Sequence, residues 1–205
     1  MSYVDDIQKV GHLTINEIIK ISNLYVPDIF KPCPWKYIDS QGRTLNHGTA
    51  VLETEELCSA YMSAYGPMHY HKLMRALDEN EFPYSDLAGG IEIYDWGCGQ
   101  AIGTMAVIEK FRQHGMLGKL RKVVLEEPSD VARDRAVIHV KKALEDNNAD
   151  VIAVSKYLPS DNGDNSNSIT SISVEQPTAI HIFSNILDIE AVSLKGVSKM
   201  ITSSG

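Results

Sequence analysis

The stretch Ile91-Glu92-Ile93-Tyr94-Asp95-Trp96-Gly97-Cys98-Gly99-Gln100-Ala101-Ile102-Gly103-Thr104 carries the most chemical information in this chain of 205 residues. Its β-branched and aromatic start reads as a short strand ending in a carboxylate, and Gly97 to Gly103 reads as a glycine-rich turn that opens a helix. Such a turn aims backbone N–H groups and the helix N-terminus at a ligand beyond the strand's carboxyl end. Glycine is needed where a side chain would block that approach. The chemistry this pattern offers is the binding of a small molecule by backbone groups, with Asp95 adding a negative charge. The spacing differs from the dinucleotide pattern G-x-G-x-x-G, because a carboxylate precedes Gly97 and the third glycine, Gly103, falls one place late. Taken alone, the same turn also serves as a tight strand-to-helix connection without a ligand.

The elements that must position this turn follow from hydrophobic periodicity. From Gly89 onward strands alternate with helices. Strands are predicted at 91–95, 122–127, 151–157 and 178–183, with helices between them on the inner-face residues Ala101, Met105 and Ile108 and then Ala132, Ala136, Val140 and Ala143. Ser129 is a plausible N-cap, and Leu194, Val197 and Ile201 predict a last helix. Residues 159–167 are polar and read as a surface loop. The order implies an α/β fold with a Rossmann-like, mainly parallel sheet and right-handed crossovers.

Residues 1–88 read as a mainly helical N-terminal segment, and 89–205 as the Rossmann-like domain. Thr14-Ile15-Asn16-Glu17 has capping-box spacing ahead of a helix that Pro27 ends. Residues 27–50, rich in proline and glycine around Trp35 and Tyr37, read as irregular but packed. A helix is predicted over 55–65, and a further one begins at Pro67 with Tyr70, Leu73, Met74 and Leu77 on one face, fraying at 80–83. His69 and His71 point in different directions on such a helix, so they do not form a metal-binding pair. Cys98 reads better as a small residue between glycines than as a nucleophile.

The Asp95-Trp96-Gly97-Cys98-Gly99 stretch resembles the first motif, D-x-G-x-G, of class I S-adenosylmethionine-dependent methyltransferases. Glu126-Glu127-Pro128-Ser129 is similar to the acidic end of that family's second strand, and His181 to Asp188 is similar to the segment bordering its methyl-transfer site. The resemblance implies S-adenosylmethionine as cofactor, with Asp95, Gly97, Cys98, Gly99 and Ala101 shaping its pocket. It also implies Glu127 on the ribose, with Glu126 as the other candidate, and Ser184 and Asn185 near the acceptor. Asn185 reads equally well as a helix cap; His69 and His71 read first as solvated or hydrogen-bonded side chains, and Tyr65 or His69 touches the cofactor if an N-terminal helix covers the pocket, as in many members of that family. Two departures stand out. Ala101 replaces a glycine common in the family, and Ser184-Asn185-Ile186-Leu187 replaces the N-P-P-aromatic motif of exocyclic-amine methylation. In methyl transfer the sulfonium carries the chemical drive, so the protein supplies orientation and exclusion of water and no fixed triad is required. The acceptor is unknown. The alternative is a catalytically silent member of the fold serving as an interaction module.

Nineteen basic and 27 acidic side chains give a net charge of −8, which disfavours direct nucleic-acid binding and suits a cationic cofactor. No apolar run is long enough to span a membrane and no basic-then-apolar leader opens the chain, so a cytoplasmic protein is expected. Three irregularly spaced cysteines predict free thiols. The resembled sheet has more strands than the four placed here, so a missing downstream domain or self-association is expected, with an incomplete fold in 89–205.

Overall fold

In the computed structural model, residues 2–79, 84, 89–155, 178–184 and 193–204 are described. The elements are α1 (Tyr3–Gln8), α2 (Ile15–Leu24), α3 (Glu55–Glu79), β1 (Ile91–Trp96), α4 (Ile102–Gln113), β2 (Leu120–Glu126), α5 (Asp130–Ala143), β3 (Asp150–Val154), β4 (Thr178–Ile182) and α6 (Leu194–Ser204). The four strands form one parallel sheet in the order β3-β2-β1-β4. This is the α/β architecture expected from the alternation of periods. The chain builds outward from β1 to β3 and then returns to the other side of β1, so the direction of winding reverses between β1 and β4. Ligands of open parallel sheets bind at that reversal, beyond the carboxyl ends of the strands.

One sheet face presents Ile91, Ile93, Val123, Leu125, Ile180 and Ile182 to a core shared with α4, α5 and the N-terminal helices. Tyr3, Ile7, Ile15, Ile18 and Met62 belong to this same core. The expected inner face of α5, Ala132, Ala136, Val140 and Ala143, is buried, and the Ser129 hydroxyl caps the helix by accepting the Ala132 N–H at 3.0 Å. Helix α4 is buried on nearly every side from Ile102 to Phe111, including Glu109 and Lys110, because it is packed between the sheet and α2 and α3. Its buried charges are each given a partner. Lys110 pairs with Asp78. Glu109 accepts the Ile15 N–H at the start of α2 at 2.8 Å and the Tyr70 hydroxyl of α3 at 3.0 Å.

The N-terminal half differs from its sequence reading in two places. Helix α1 was not expected; it is a six-residue helix closed by a capping box in which Ser2 and Asp5 bond each other's backbone N–H groups. In addition, α3 runs unbroken through Gly66 and Pro67 instead of dividing there. A proline inside a helix removes one hydrogen bond and crowds the carbonyl of Ser63, a cost of about 3 kcal/mol that only packing can offset. Packing offsets it here because α2 lies along α3. A Cβ on Gly66 would fall 3.2 Å from Ile19 Cγ1 and 2.8 Å from Met62 Sδ, so glycine permits the close approach that holds the helix together across the proline. Helix α2 begins as expected, with the Thr14 hydroxyl accepting the Glu17 N–H, while Glu17 itself pairs with Lys20. The irregular segment is packed: Val26, Tyr37, Leu45 and Leu52 form a second buried cluster with the start of α3 and Ala132 of α5, while Trp35 is exposed. The predicted fraying at 80–83 and the loop at 159–167 lie outside the described residues. Among the described residues, no helix is long and apolar enough to cross a membrane.

Glu109 ties two N-terminal helices to α4 through one carboxylate, so Glu109→Ala leaves a buried N–H and a tyrosine hydroxyl unsatisfied. Chemical denaturation is expected to show a loss of about 2–3 kcal/mol. Glu109→Gln, which keeps an acceptor for Ile15, is expected to lose less.

Candidate functional site

The glycine turn closes on itself and on the neighbouring strand. Gly97 and Gly99 adopt the left-handed conformation at φ 65° and 53°. The Cys98 N–H donates to the Glu126 carbonyl at 2.9 Å and the Ala101 N–H to the Cys98 carbonyl at 2.7 Å. Ala101, at the head of α4, is also left-handed at φ 63°, a strain of roughly 1–2 kcal/mol that a glycine would not carry. A Cβ on Gly99 would meet nothing within 4 Å, so the turn faces open space there. At Gly103 a Cβ would lie 2.7 Å from Ile182 Cγ2 and 3.3 Å from Asp95 Oδ2. That glycine lets the start of α4 press against the ends of β1 and β4.

Two buried carboxylates flank the turn. Asp95 Oδ2 accepts both the Thr104 N–H at 3.1 Å and the Thr104 hydroxyl at 2.7 Å, so Asp95 caps α4 from the end of β1. Its Oδ1 is buried and has no hydrogen-bond partner among the described residues. Burial pushes the Asp95 carboxyl up to about 6 against the help of Thr104, and the nearby Glu127 adds to the rise. Glu127 reaches across from the end of β2. Its Oε2 accepts the Gly99 N–H at 2.9 Å and its Oε1 accepts the Ser129 N–H at 2.9 Å. Burial raises this carboxyl too, opposed by those two N–H groups and by Arg133. Of the two acids considered, Glu127 touches the turn; Glu126 is paired in register with Trp96, on the opposite side of the sheet from Asp95.

The Cys98 thiol is buried and its pKa is pushed well above the ordinary range, first by desolvation and then by Asp95 and Glu127, which disfavours the thiolate. Ser184, just past β4, lies beside Gly103, where its Cβ would stand 3.6 Å from a Cβ on that glycine. Asn185 lies outside the described residues. On the opposite sheet face the Trp96 ring runs nearly parallel to those of His181 and Phe183, at 5.8 and 5.9 Å between ring centroids, and its indole N–H donates to His181 Nδ1 at 3.0 Å.

The N-terminal segment walls the turn. Ser129 donates its hydroxyl proton to the Leu52 carbonyl, and Gln100 Nε2 donates to the Cys58 carbonyl of α3 at 2.9 Å. One helical turn onward, Tyr61, Tyr65 and His69 form a row of ring contacts along α3. The negative charge of Glu127 is felt at the Tyr61 hydroxyl, whose pKa is raised to about 12 mainly by burial. His69 is buried while His71 is exposed, so the two do not share a site.

Sequence reasoning missed Thr104, Gln100, Arg135 and His139. A signal for the last two was present, since both occupy inner-face positions of α5 among Ala132, Ala136 and Val140. Polar residues at apolar positions of a helical period mark a buried network.

Two buried carboxylates, Asp95 and Glu127, give the turn an acidic lining, which disfavours a phosphate there. The backbone cradle that would bind a phosphate already has an anion in it, the Glu127 carboxylate. Asp95 Oδ1 is a buried acceptor without a partner among the described residues, and the Glu127 carboxylate, bonded once at each oxygen, keeps acceptor capacity.

The cost of burying Asp95 has a testable sign. Its folded pKa stands above the unfolded value of 3.8, so the unfolded state loses its proton first and stability falls as pH rises from about 4 to about 6. Asp95→Asn keeps an acceptor for Thr104 and lacks that loss. It is expected to be more stable than the wild type by about 2–3 kcal/mol at pH 8, with the difference closing toward pH 4, measured by chemical denaturation across pH.

Comparison with protein-family models, curated proteins and solved structures finds no match to this chain.

Proposed function

We propose that this chain binds S-adenosylmethionine in the turn between β1 and α4 and transfers its methyl group to an acceptor. The observation that carries the reading is the contact of Glu127 with the Gly99 N–H at 2.9 Å, opposite Asp95. It sets two buried carboxylates, from the ends of adjacent parallel strands, on either side of one glycine turn. A sulfonium and an ammonium are favoured there for the same reason that a pyrophosphate is disfavoured. The winding order supports this placement, because the turn lies beside the reversal between β1 and β4.

In this reading Glu127 holds the ribose hydroxyls, and Asp95 Oδ1 takes the charge at the amino-acid end. Gly97, Cys98, Gly99 and Ala101 form the wall, while Ser184 and Asn185 border the acceptor. The cofactor supplies an activated methyl group, so the side chains orient and exclude water. Asp95 is ionised above its pKa of about 6, so affinity for a cation is expected to weaken as pH falls through that value.

Calorimetric titration of the folded protein is expected to give saturable heat with S-adenosylmethionine and with its demethylated product, and none with NADH. Glu127→Ala is expected to weaken binding at least about tenfold, or about 1.4 kcal/mol. Absence of heat and of any thermal shift at millimolar S-adenosylmethionine would remove the reading.

A further inference from the structure

The glycine turn is gripped at Gln100 by three residues from two helices, α3 and α5. Gln100 Nε2 donates to the Cys58 carbonyl of α3 at 2.9 Å, and its Oε1 accepts from Arg135 Nη1 of α5 at 3.3 Å. Its main-chain oxygen lies 3.0 Å from His139 Nδ1. A carbonyl can only accept, so Nδ1 carries the ring proton and Nε2 is left as an acceptor. The Tyr3 hydroxyl of α1 stands 2.8 Å from that Nε2 and therefore donates to it, while the Ser22 hydroxyl lies 3.4 Å behind. The hydrogen bonds run in one direction, from α1 through His139 to the backbone of the turn. His139 is fully buried, and burial draws its pKa down to about 4, which keeps the ring neutral and this direction intact.

Tyr3 reaches Gln100 by a second route. Its ring lies against the guanidinium of Arg135, with Cζ 3.7 Å from the ring centroid. Arg135 is itself oriented by Glu55 and by the Ser59 hydroxyl, at 2.6 and 2.9 Å. One side chain of a six-residue helix thus touches both α5 residues that hold Gln100.

We infer that Tyr3 is a positioning residue for the glycine turn, acting through His139 and Arg135 on Gln100, so that docking of α1 and binding at the turn are coupled. The binding half of this inference rests on the proposed function, whereas the coupling of α1 to the turn does not. Gln100 sits between two left-handed residues, Gly99 and Ala101, and a strained turn keeps its shape only while its surroundings enforce it. A cavity of about 360 Å³ opens beside α1, lined by Tyr3, Tyr25, Glu55, Ser59 and Arg135 among others, so this clamp has room to loosen. A ligand that needs the turn in its clamped shape binds in proportion to the fraction that has it.

Tyr3→Phe removes the hydroxyl and keeps the ring on Arg135. Tyr94→Phe is the matched control, since it removes a hydroxyl that donates to Glu92 at 2.6 Å on the sheet face of Trp96, away from α1 and Gln100. Hydrogen–deuterium exchange on the ligand-free protein is expected to be about fivefold faster at residues 99–103 in Tyr3→Phe, and unchanged there in Tyr94→Phe. Affinity for S-adenosylmethionine is expected to fall about fivefold in Tyr3→Phe alone. Unchanged exchange at the turn in Tyr3→Phe, or equal acceleration in both variants, overturns the coupling. Selective loosening of the turn in a protein whose wild type binds no S-adenosylmethionine would uphold the coupling and remove the cofactor reading instead.

Discussion

The Glu127 carboxylate accepts the Gly99 N–H, and most of the site depends on that bond. It joins the end of β2 to the turn after β1, and the second oxygen holds the Ser129 N–H at the head of α5. One side chain thus sets the turn, the strand end and the helix start relative to one another. Because the group is an anion in a buried place, it also decides what the turn can accept. A backbone cradle of this shape is suited to phosphate, yet here the protein's own carboxylate occupies part of it and Asp95 lies opposite. In the proposed function this turns the electrostatic preference toward cations while the strand-turn-helix geometry is kept.

This arrangement is costly in the unliganded protein. Asp95 is buried with one oxygen unsatisfied among the described residues, and Ala101 is held in a left-handed conformation. A carboxyl raised to about 6 by desolvation is a group the fold would be more stable without at neutral pH. Such features persist when neighbours over-determine them. Here the neighbours are Thr104, which bonds Asp95 twice, and Gln100, which three residues of α3 and α5 hold.

The N-terminal helices are part of the same construction. Helix α4 begins at the site and is buried on nearly all sides, so covering it is a condition for having the turn at all. The cover is α2 and α3, joined to α4 by the Glu109 carboxylate and to the turn through Cys58. Continuity of the core from Tyr3 to Ile182 explains why Pro67 does not break α3. The packing lost by dividing the helix exceeds what one missing hydrogen bond costs.

The sequence by itself determined the alternation of strands and helices, the Ser129 and Thr14 caps, the buried face of α5 and the carboxylate-glycine turn. Each of these depends on residues within a few positions of one another, and local periodicity and backbone preference act over that range. Only the tertiary structure decided that the side chain of Glu127 and the main chain of Glu126 meet the turn, that α3 is continuous, and that Arg135 and His139, both touched by Tyr3, converge on Gln100. Those outcomes depend on contacts between residues as much as 136 positions apart, such as Tyr3 and His139. Burial is what makes a hydroxyl, an imidazole and a guanidinium seek one another, and burial exists only once the chain has packed.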